Sequence, residues 1–343
     1  MSFLRSINFL LIIFLFISCN KFDQNNFKIL PSVKEYTFSG EYSNLNFNTK
    51  LSFHSKNNDT LPVILDNSIK LIKGDINSKI IFEIDKNYDI VNEGYFLKIN
   101  KDQIKIIAKD NAGLFYSFNT LNQLLKDSKD QNINLPIVEI LDYPSLNYRS
   151  IHIDVKHHTE KKEYYFDLID ELASIKINGI IIEFEDKLGY EKRPAIAAPD
   201  SYSISWWKSL SEYANMRNIK ISPLIQGLGH ASFILKHDKY KGLRDVSDID
   251  WAFNPLNPEI YDVQFDLYKD AMEATPYGQF LHIGGDEVRV IDRDGKKGFE
   301  LNLLWLNKVS EFAKQNNRTP IFWDDMYLKH GGVWMVTRNT KLT

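Results

Sequence analysis

Two adjacent carboxylates, Asp286 and Glu287, are the residues of this sequence best suited to chemistry. They follow Phe280–Ile283, whose alternating pattern predicts a half-buried strand. Gly284 and Gly285 come between, and they remove the side chains that hold a backbone in a regular pleat. In an unbroken strand neighbouring side chains point to opposite faces, so the two acids reach one ligand only if the chain bends after the glycines. A Gly-Gly pair permits that bend.

Taken alone, this pair fits three kinds of site. The commonest is a loop whose acids are solvated. A metal site formed by His282, Asp286 and Glu287 is a second possibility, although no other histidine-rich cluster accompanies it in the sequence. The third is a carboxyl pair in acid and base roles, with one member kept protonated by its surroundings. The residue types leave all three open.

Residues 282–288, His-Ile-Gly-Gly-Asp-Glu-Val, resemble the catalytic signature of the family 20 glycoside hydrolases, the β-N-acetylhexosaminidases. The resemblance implies retaining, substrate-assisted cleavage, an exception to the usual two-carboxylate scheme. Glu287 would protonate the leaving glycosidic oxygen. Asp286 would orient the 2-acetamido group of the sugar, whose carbonyl oxygen attacks the anomeric carbon. The resemblance also implies that neither a cofactor nor a metal ion is required.

Two acids after the second predicted strand of the barrel and an arginine at the start of the first are further candidates for contacting the sugar. Arg149 lies in a Tyr-Arg-Ser string that resembles the family's Tyr-Arg-Gly, which implies that its guanidinium bonds the sugar hydroxyls. Asp186 is the first choice and Glu185 the second in a Glu-Phe-Glu-Asp string. That string is similar to the Glu-Tyr-Glu-Asp of the hexosaminidase D-like branch of the family, where an acid contacts the sugar or supports the site. Without the resemblance, all three side chains would be read as solvated.

Two ring side chains complete the predicted sugar site. His230 ends residues 223–230, Pro-Leu-Ile-Gln-Gly-Leu-Gly-His, which closely resemble the same branch, and it matches the family's site histidine. Trp323 ends the fifth predicted strand and would form one wall of the acetamido pocket, which must hold the N-acetyl group tightly for its oxygen to attack. The structural alternatives are a packing histidine and a core tryptophan that closes the barrel.

The pattern of elements changes at Pro144, because proline forces extension and ends a preceding helix. Before it we predict a small α/β domain over residues 28–141, similar to the one that precedes the barrel in this family. Its predicted strands are Leu61–Leu65, Lys79–Ile84, Tyr95–Ile99 and Gln103–Ala108, and its predicted helix is Asn111–Lys126.

After Pro144 strands alternate with helices, which predicts right-handed β-α-β units and a parallel sheet over residues 142–343. The family would form a (β/α)₈ TIM-type barrel, with its site at the carboxyl ends of the strands. The predicted strands are Arg149–Val155, Gly179–Phe184, Ile219–Ile225, Phe280–Ile283 and Pro320–Trp323. Because only five are found, we expect an incomplete barrel that lacks strands six to eight.

The start of the chain predicts export and a lipid anchor. Residues 1–18 combine a basic start with a short apolar run, as in a signal peptide. Residues 16–19, Phe-Ile-Ser-Cys, resemble the bacterial lipoprotein box, in which the single cysteine, Cys19, is lipidated. Residues 19–27 would then tether the protein to a membrane surface of the bacterial cell envelope, at the outer membrane, in the periplasm or on the cell surface. Secretion without a lipid is the alternative.

The leading hypothesis is an exo-acting β-N-acetylhexosaminidase that releases terminal GlcNAc or GalNAc from glycans or oligosaccharides. The net charge of −3 gives no electrostatic reason to expect nucleic acid as a partner. The competing hypothesis, motivated by the missing strands, is a non-catalytic or vestigial sugar-binding envelope lipoprotein.

Overall fold

The computed structural model describes residues 27–65, 71–156, 158–288 and 290–326. The chain divides into two compact units, Met1–Pro144 and Ser145–Thr343. The predicted signal peptide, Cys19 and nearly all of the predicted tether lie outside the described residues. Within the described part of the chain, no helix has both the length and the apolar character needed to cross a bilayer.

The first unit is a seven-stranded mixed sheet with one long helix. Its strands are β1 Glu35–Tyr42, β2 Leu51–Ser55, β3 Leu71–Lys73, β4 Ile80–Ile84, β5 Tyr95–Ile99, β6 Ile104–Ala108 and β7 Pro136–Asp142, and its helix is α1 Asn111–Gln131. The strand order is β1-β7-β5-β6-β4-β2-β3. The β1-β7-β5-β6 ladders are antiparallel, and β6-β4-β2-β3 are parallel.

Helix α1 covers the sheet in the way its sequence predicts. Asp110 caps its first turn by accepting a hydrogen bond from the Gly113 N–H at 2.8 Å. Leu114, Phe118, Leu121 and Leu125, which recur at helical spacing, are all buried. The apolar stripe therefore faces the core, as expected.

Leu61–Leu65 is not a strand, contrary to the prediction. It contains Pro62, whose missing N–H weakens any sheet pairing. The sequence analysis missed four strands. Strand β7 lies inside the sheet with alternate residues buried. Strands β1 and β3 are the two edges and β2 lies next to β3, and few positions of these three strands are fully buried. Their weak apolar alternation gives little signal.

The second unit is a five-stranded parallel sheet whose strands follow one another across the sheet in chain order. The alternating elements are β8 Ser150–Asp154, α2 Lys162–Ser174, β9 Gly179–Glu183, α3 Ile204–Asn215, β12 Lys220–Leu224, α5 Glu259–Ala274, β15 Phe280–His282, α6 Gly298–Gln315 and β16 Thr319–Ile321. The strand order is β8-β9-β12-β15-β16 and every pair is parallel. The predicted alternation and its five strands are confirmed, with bounds that differ by at most two residues.

Shorter elements fill the connections. They are the strands β10 Leu188–Gly189, β11 Tyr202–Ser203, β13 Arg244–Val246 and β14 Ile249–Phe253, the helix α4 Ser232–Leu235, and the 3₁₀ turns Glu185–Lys187, Pro194–Ile196 and Asp238–Leu243. Strands β13 and β14 pair as an antiparallel hairpin in the connection from β12 to α5. The sequence analysis did not find this hairpin.

The sheet register aligns the last residues of the parallel strands along one edge. The paired residues at this carboxyl edge are, in order across the sheet, Asp154, Glu183, Leu224, His282 and Ile321. Side chains that follow these residues are therefore brought close together.

The chain bends after β15, as the paired glycines predict. Gly284 has a φ of 70° and Gly285 a φ of 96°, both in the left-handed region that favours glycine. The bend is fixed by the Trp323 N–H, which donates to the Gly284 carbonyl at 3.0 Å. A Cβ on Gly284 would lie 2.1 Å from Oε1 of Gln226, a buried side chain that already donates to Glu183.

Gly284→Ala should lower the free energy of unfolding more than Gly295→Ala does. Gly295 has a similar φ of 75°, but a Cβ there meets nothing within 4 Å, so its cost is the backbone strain alone, about 1–2 kcal/mol. Gly284→Ala adds the overlap with Gln226, and we expect at least about 1 kcal/mol more. Urea unfolding of both variants measures the difference. Equal losses would contradict the tight packing of the bend.

Candidate active site

His230 brings the two adjacent carboxylates together. Its Nε2 lies 3.3 Å from an Oδ of Asp286 and 3.6 Å from an Oε of Glu287. His230 comes from the loop after β12, whereas the acids follow the bend after β15. Asp286 and Glu287 therefore converge on one nitrogen instead of pointing to opposite faces.

The His230–Asp286 contact favours the charged form of both groups. The Asp286 carboxylate, 3.3 Å away, is the main influence that raises the pKa of His230, outweighing its burial, and the charge of Glu287 acts in the same direction. Burial alone would raise the pKa of Asp286. The close contact with His230 and its positive charge outweigh that effect and lower the pKa of Asp286 below its ordinary value.

The backbone around these groups is in an uncommon conformation. Three residues with side chains adopt left-handed φ values, which are 65° at Leu228, 49° at His230 and 47° at Glu287. Each such residue costs on the order of 1–3 kcal/mol and persists only where its surroundings enforce it. Since they occur in the two segments that carry the carboxylates and their histidine, the strain points to a functional site.

Glu287 is the exposed member of the pair. Its side chain is 67% exposed, compared with 23% for Asp286. Its main chain is fixed at both ends, because its N–H donates to Oδ2 of Asp325 at 3.3 Å and its carbonyl accepts from Nε1 of Trp251 at 3.3 Å. A rigid backbone with an accessible carboxyl group suits proton exchange with a ligand.

A second carboxylate, Glu183, is buried at the end of β9 and is bound from the neighbouring strands. Its side chain lies 3.1 Å from His152 and 3.3 Å from Lys156, both from β8 and the residues after it, and it accepts from Gln226 at 3.0 Å. Burial alone would raise the pKa of Glu183, but the hydrogen bonds from His152 and Gln226 and the charge of Lys156 lower it to about 2. Glu183 therefore links three strand ends through an ionised group.

Two residues later, Glu185 behaves in the opposite way. Burial, followed by the negative charge of Glu183, raises the pKa of Glu185 to about 7. Asp186 instead pairs with Lys236 at 3.0 Å and lies 3.6 Å from the Lys187 amine. The structure therefore places both predicted acids in charged surroundings at the carboxyl edge.

Trp323 lies beside His282 at the same edge. Their ring centroids are 4.6 Å apart, and Trp323 is 38% exposed, so it is not a core residue. Nδ1 of His282 accepts a hydrogen bond from the Gly284 N–H at 3.2 Å. Burial, with a smaller contribution from His152, lowers the pKa of His282 to about 4, so the ring is neutral at physiological pH.

The substrate contact predicted for Arg149 stays a prediction. Arg149 precedes β8, at the amino edge of the sheet, whereas Asp286 and Glu287 lie beyond the carboxyl edge. Its guanidinium donates to the carbonyl oxygens of Lys176 at 2.8 Å and Leu146 at 2.7 Å, so it ties together the loops that enter β8 and β9.

Glu183, Lys156, Gln226 and Trp251 have contacts that the sequence analysis did not assign. A signal for the first three existed, because each lies within two residues of a strand's carboxyl end. Trp251 gave none, because it lies in the unrecognised hairpin. Among the described residues, no group of three His, Cys, Asp or Glu side chains is arranged to hold a metal ion.

A parallel α/β sheet with a converging carboxylate pair at its carboxyl edge is typical of a barrel enzyme, and two family profiles match the chain. The profile described as glycosyl hydrolase family 20, catalytic domain, matches residues 146–342, and the one described as glycosyl hydrolase family 20, domain 2, matches residues 26–143. The chain belongs to glycosyl hydrolase family 20.

Similar proteins support the same assignment. The chain is 29% identical over 191 residues to hexosaminidase D of Homo sapiens, covering 52% of this chain and 39% of that protein. It is 25% identical over 320 residues to the beta-hexosaminidase of Porphyromonas gingivalis, covering 78% of this chain and 40% of that protein. The chain thus spans about two fifths of the length of each of these relatives.

Solved structures show the fold. The beta-N-acetylhexosaminidase from Bacteroides fragilis superimposes with a TM-score of 0.72 at 20% identity, covering 87% of this chain and 66% of that one. The exo beta-N-acetylglucosaminidase from Vibrio harveyi, solved with N-acetylglucosamine, superimposes with a TM-score of 0.72 at 19% identity. The match covers 88% of this chain and 55% of that one. The fold is therefore α/β, with a (β/α)₈-type barrel domain that follows a small domain in the sequence. The expected absence of strands six to eight stays a prediction.

Proposed function

We propose that this protein is an exo-acting β-N-acetylhexosaminidase that cleaves terminal β-linked GlcNAc or GalNAc with retention, using the substrate's own acetamido group as nucleophile. The observation that carries the proposal is the convergence of Asp286 and Glu287 on His230 in a member of this family. The proposed substrates are glycans or oligosaccharides that end in an N-acetylhexosamine.

Asp286 would bind the acetamido group. Its Oδ1 is buried, and no group of the described residues makes a hydrogen bond of normal geometry to it, although its other oxygen lies against His230. A buried acceptor in this state fits the N–H donor of an acetamido group. Because the contact with His230 favours the ionised carboxylate, Asp286 would also stabilise the positive charge that develops as the acetamido oxygen attacks.

Glu287 would act first as acid and then as base. In the first step its proton goes to the glycosidic oxygen, the bond from that oxygen to the anomeric carbon breaks, and the acetamido oxygen bonds to the same carbon. In the second step water attacks that carbon, the bond from the carbon to the acetamido oxygen breaks, and the water gives a proton to Glu287, which restores the acid. The high exposure of the Glu287 side chain fits a group that meets both the leaving group and water.

The remaining ring residues would position these groups. His230 would hold Asp286 and Glu287 at their separation. Trp323, packed against the neutral ring of His282, would form one wall for the acetamido methyl group. Glu185 and Asp186 are proposed to contact or support the sugar from the end of β9.

Glu287→Gln should slow the hydrolysis of methyl N-acetyl-β-glucosaminide by about 10²–10⁴-fold, because an alkoxide leaves only with a proton. The loss should be much smaller for the 4-nitrophenyl glycoside, whose leaving group needs less assistance. The ratio of kcat/KM values for the two substrates measures the effect. Glu212→Gln, an exposed position on α3, is the control and should change neither rate.

Equal losses on both substrates would remove Glu287 from the acid role. If the folded wild-type protein hydrolysed neither substrate, the result would favour the sugar-binding alternative.

We also propose that the protein is lipid-anchored at the bacterial cell envelope through Cys19, on the basis of the basic start, the apolar run and the Phe-Ile-Ser-Cys string. Because Cys19 is the single cysteine, Cys19→Ser should abolish incorporation of an alkyne-labelled fatty acid. It should also move the protein from the detergent phase to the aqueous phase in Triton X-114 partitioning. Aqueous partitioning of the unlabelled wild type would contradict the anchor and support secretion without a lipid.

A further inference from the structure

A buried carboxylate of the β13–β14 hairpin holds the segment that follows Glu287. Asp245, in the middle of β13, is only 5% exposed. Its Oδ2 accepts a hydrogen bond from the Ile291 N–H at 3.0 Å, and its Oδ1 lies 3.1 Å from Nε and 3.0 Å from a terminal nitrogen of Arg293. That terminal nitrogen also donates to the Asp245 carbonyl oxygen. Both carboxylate oxygens of Asp245 therefore contact the segment that comes shortly after the proposed acid.

The main chain of Arg293 is itself fixed. Its N–H donates to the Lys296 carbonyl at 3.0 Å, and the Lys296 N–H donates back to the Arg293 carbonyl at 2.8 Å. The preceding residue, Asp292, accepts from the N–H of Gly298, the first residue of α6, at 2.9 Å. The guanidinium therefore extends from a closed turn at the start of α6, and it joins the hairpin to that turn.

The other strand of the hairpin is attached to the loop that carries His230. The Ala231 N–H donates to the Trp251 carbonyl at 2.9 Å. The indole Nε1 of Trp251 donates in turn to the Glu287 carbonyl at 3.3 Å. The hairpin thus connects the histidine loop to Glu287 and, through Asp245, to the segment after it.

Glu287 depends on such support more than a residue of a regular element does. Its φ of 47° is a conformation that persists only where the surroundings enforce it. Its side chain is 67% exposed, so the direction of the carboxyl group is set largely by the main chain. The two main-chain hydrogen bonds of Glu287, to Asp325 and from Trp251, are both 3.3 Å long, compared with about 2.9 Å for a typical N–H···O bond. A further tether nearby would therefore matter for where the carboxyl group points.

We propose that Asp245 and Arg293 are positioning residues for the proposed acid. Their ion pair holds the hairpin against the segment after Glu287, and it thereby aims the Glu287 carboxyl group at the glycosidic oxygen. The inference rests on the proposed function. Removal of one partner leaves a buried polar group of the other unpaired, so the hairpin and the segment would shift apart. A displacement of about 1 Å can cost on the order of 10²-fold in rate.

The test measures kcat/KM for methyl and for 4-nitrophenyl N-acetyl-β-glucosaminide in Asp245→Ala. The ratio of the methyl to the 4-nitrophenyl value should fall by about 10–10²-fold, because only the methoxide leaving group needs an accurately placed proton. A residue that served stability alone would lower both values by one factor, since it would change only the fraction of folded enzyme. Asp245→Asn keeps one acceptor oxygen and nearly the same volume, so it should fold and lower the ratio less.

Asp270→Ala is the matched control. Asp270 is another fully buried carboxylate of the same unit, and it accepts from the N–H groups of Glu191 and Lys192 at 2.9 Å each and pairs with the Lys192 amine at 2.6 Å. Its partners lie in the connection after β9. Its loss should leave the ratio unchanged, whatever it does to stability.

The partner residue provides an independent variant. Arg293→Gln should also lower the ratio. Because the two side chains act as a pair, the double variant Asp245→Asn/Arg293→Gln should lower the ratio no further than the more affected single variant.

An unchanged ratio in folded Asp245→Asn and Arg293→Gln, with Glu287→Gln still lowering it, would overturn this inference alone. An equal fall in Asp270→Ala would also overturn it, because any lost buried carboxylate would then have the same effect. If the wild type hydrolysed neither substrate, or if Glu287→Gln left the ratio unchanged, the proposed function would fail and this inference with it.

Discussion

The contact between His230 and Asp286 is the interaction on which the candidate site depends. It joins the loop after β12 to the bend after β15, and it favours an ionised carboxylate at a partly buried position where desolvation opposes the charge. Glu287 lies against the same nitrogen but remains exposed. One imidazole thus supports two carboxylates with different surroundings, which is the usual basis for giving neighbouring acids different roles.

The parallel sheet makes this contact possible. Its register brings the ends of β8, β9, β12, β15 and β16 to one edge, and Glu183 then links three of these ends through His152, Lys156 and Gln226. The bend at Gly284 packs against the same Gln226. Gln226 therefore joins the bend that positions the carboxylates to the buried contacts of Glu183. This packing can hold the strained backbone at His230 and Glu287.

The sequence was informative wherever the signal was local and repeated. Alternation of strands and helices predicted the five parallel strands, and the paired glycines predicted the bend that brings Asp286 and Glu287 together. Arg149 shows the limit of such reasoning. A short string beside a strand does not reveal whether the guanidinium binds a ligand or the main chain of nearby loops. The hairpin that carries Trp251 was missed because each of its strands is only three to five residues long and partly exposed. Buried polar contacts such as those of Glu183 depend on register between strands, which no single segment contains.

The most direct test of this account is the pKa of His230, measured by NMR on ¹⁵N-histidine-labelled protein, with the signal assigned by its loss in His230→Asn. The account predicts that His230 titrates above its ordinary value of 6.5 in the wild type, and that Asp286→Asn brings the pKa down to that value or below it. A wild-type pKa at or below 6.5, unchanged in Asp286→Asn, would contradict the account.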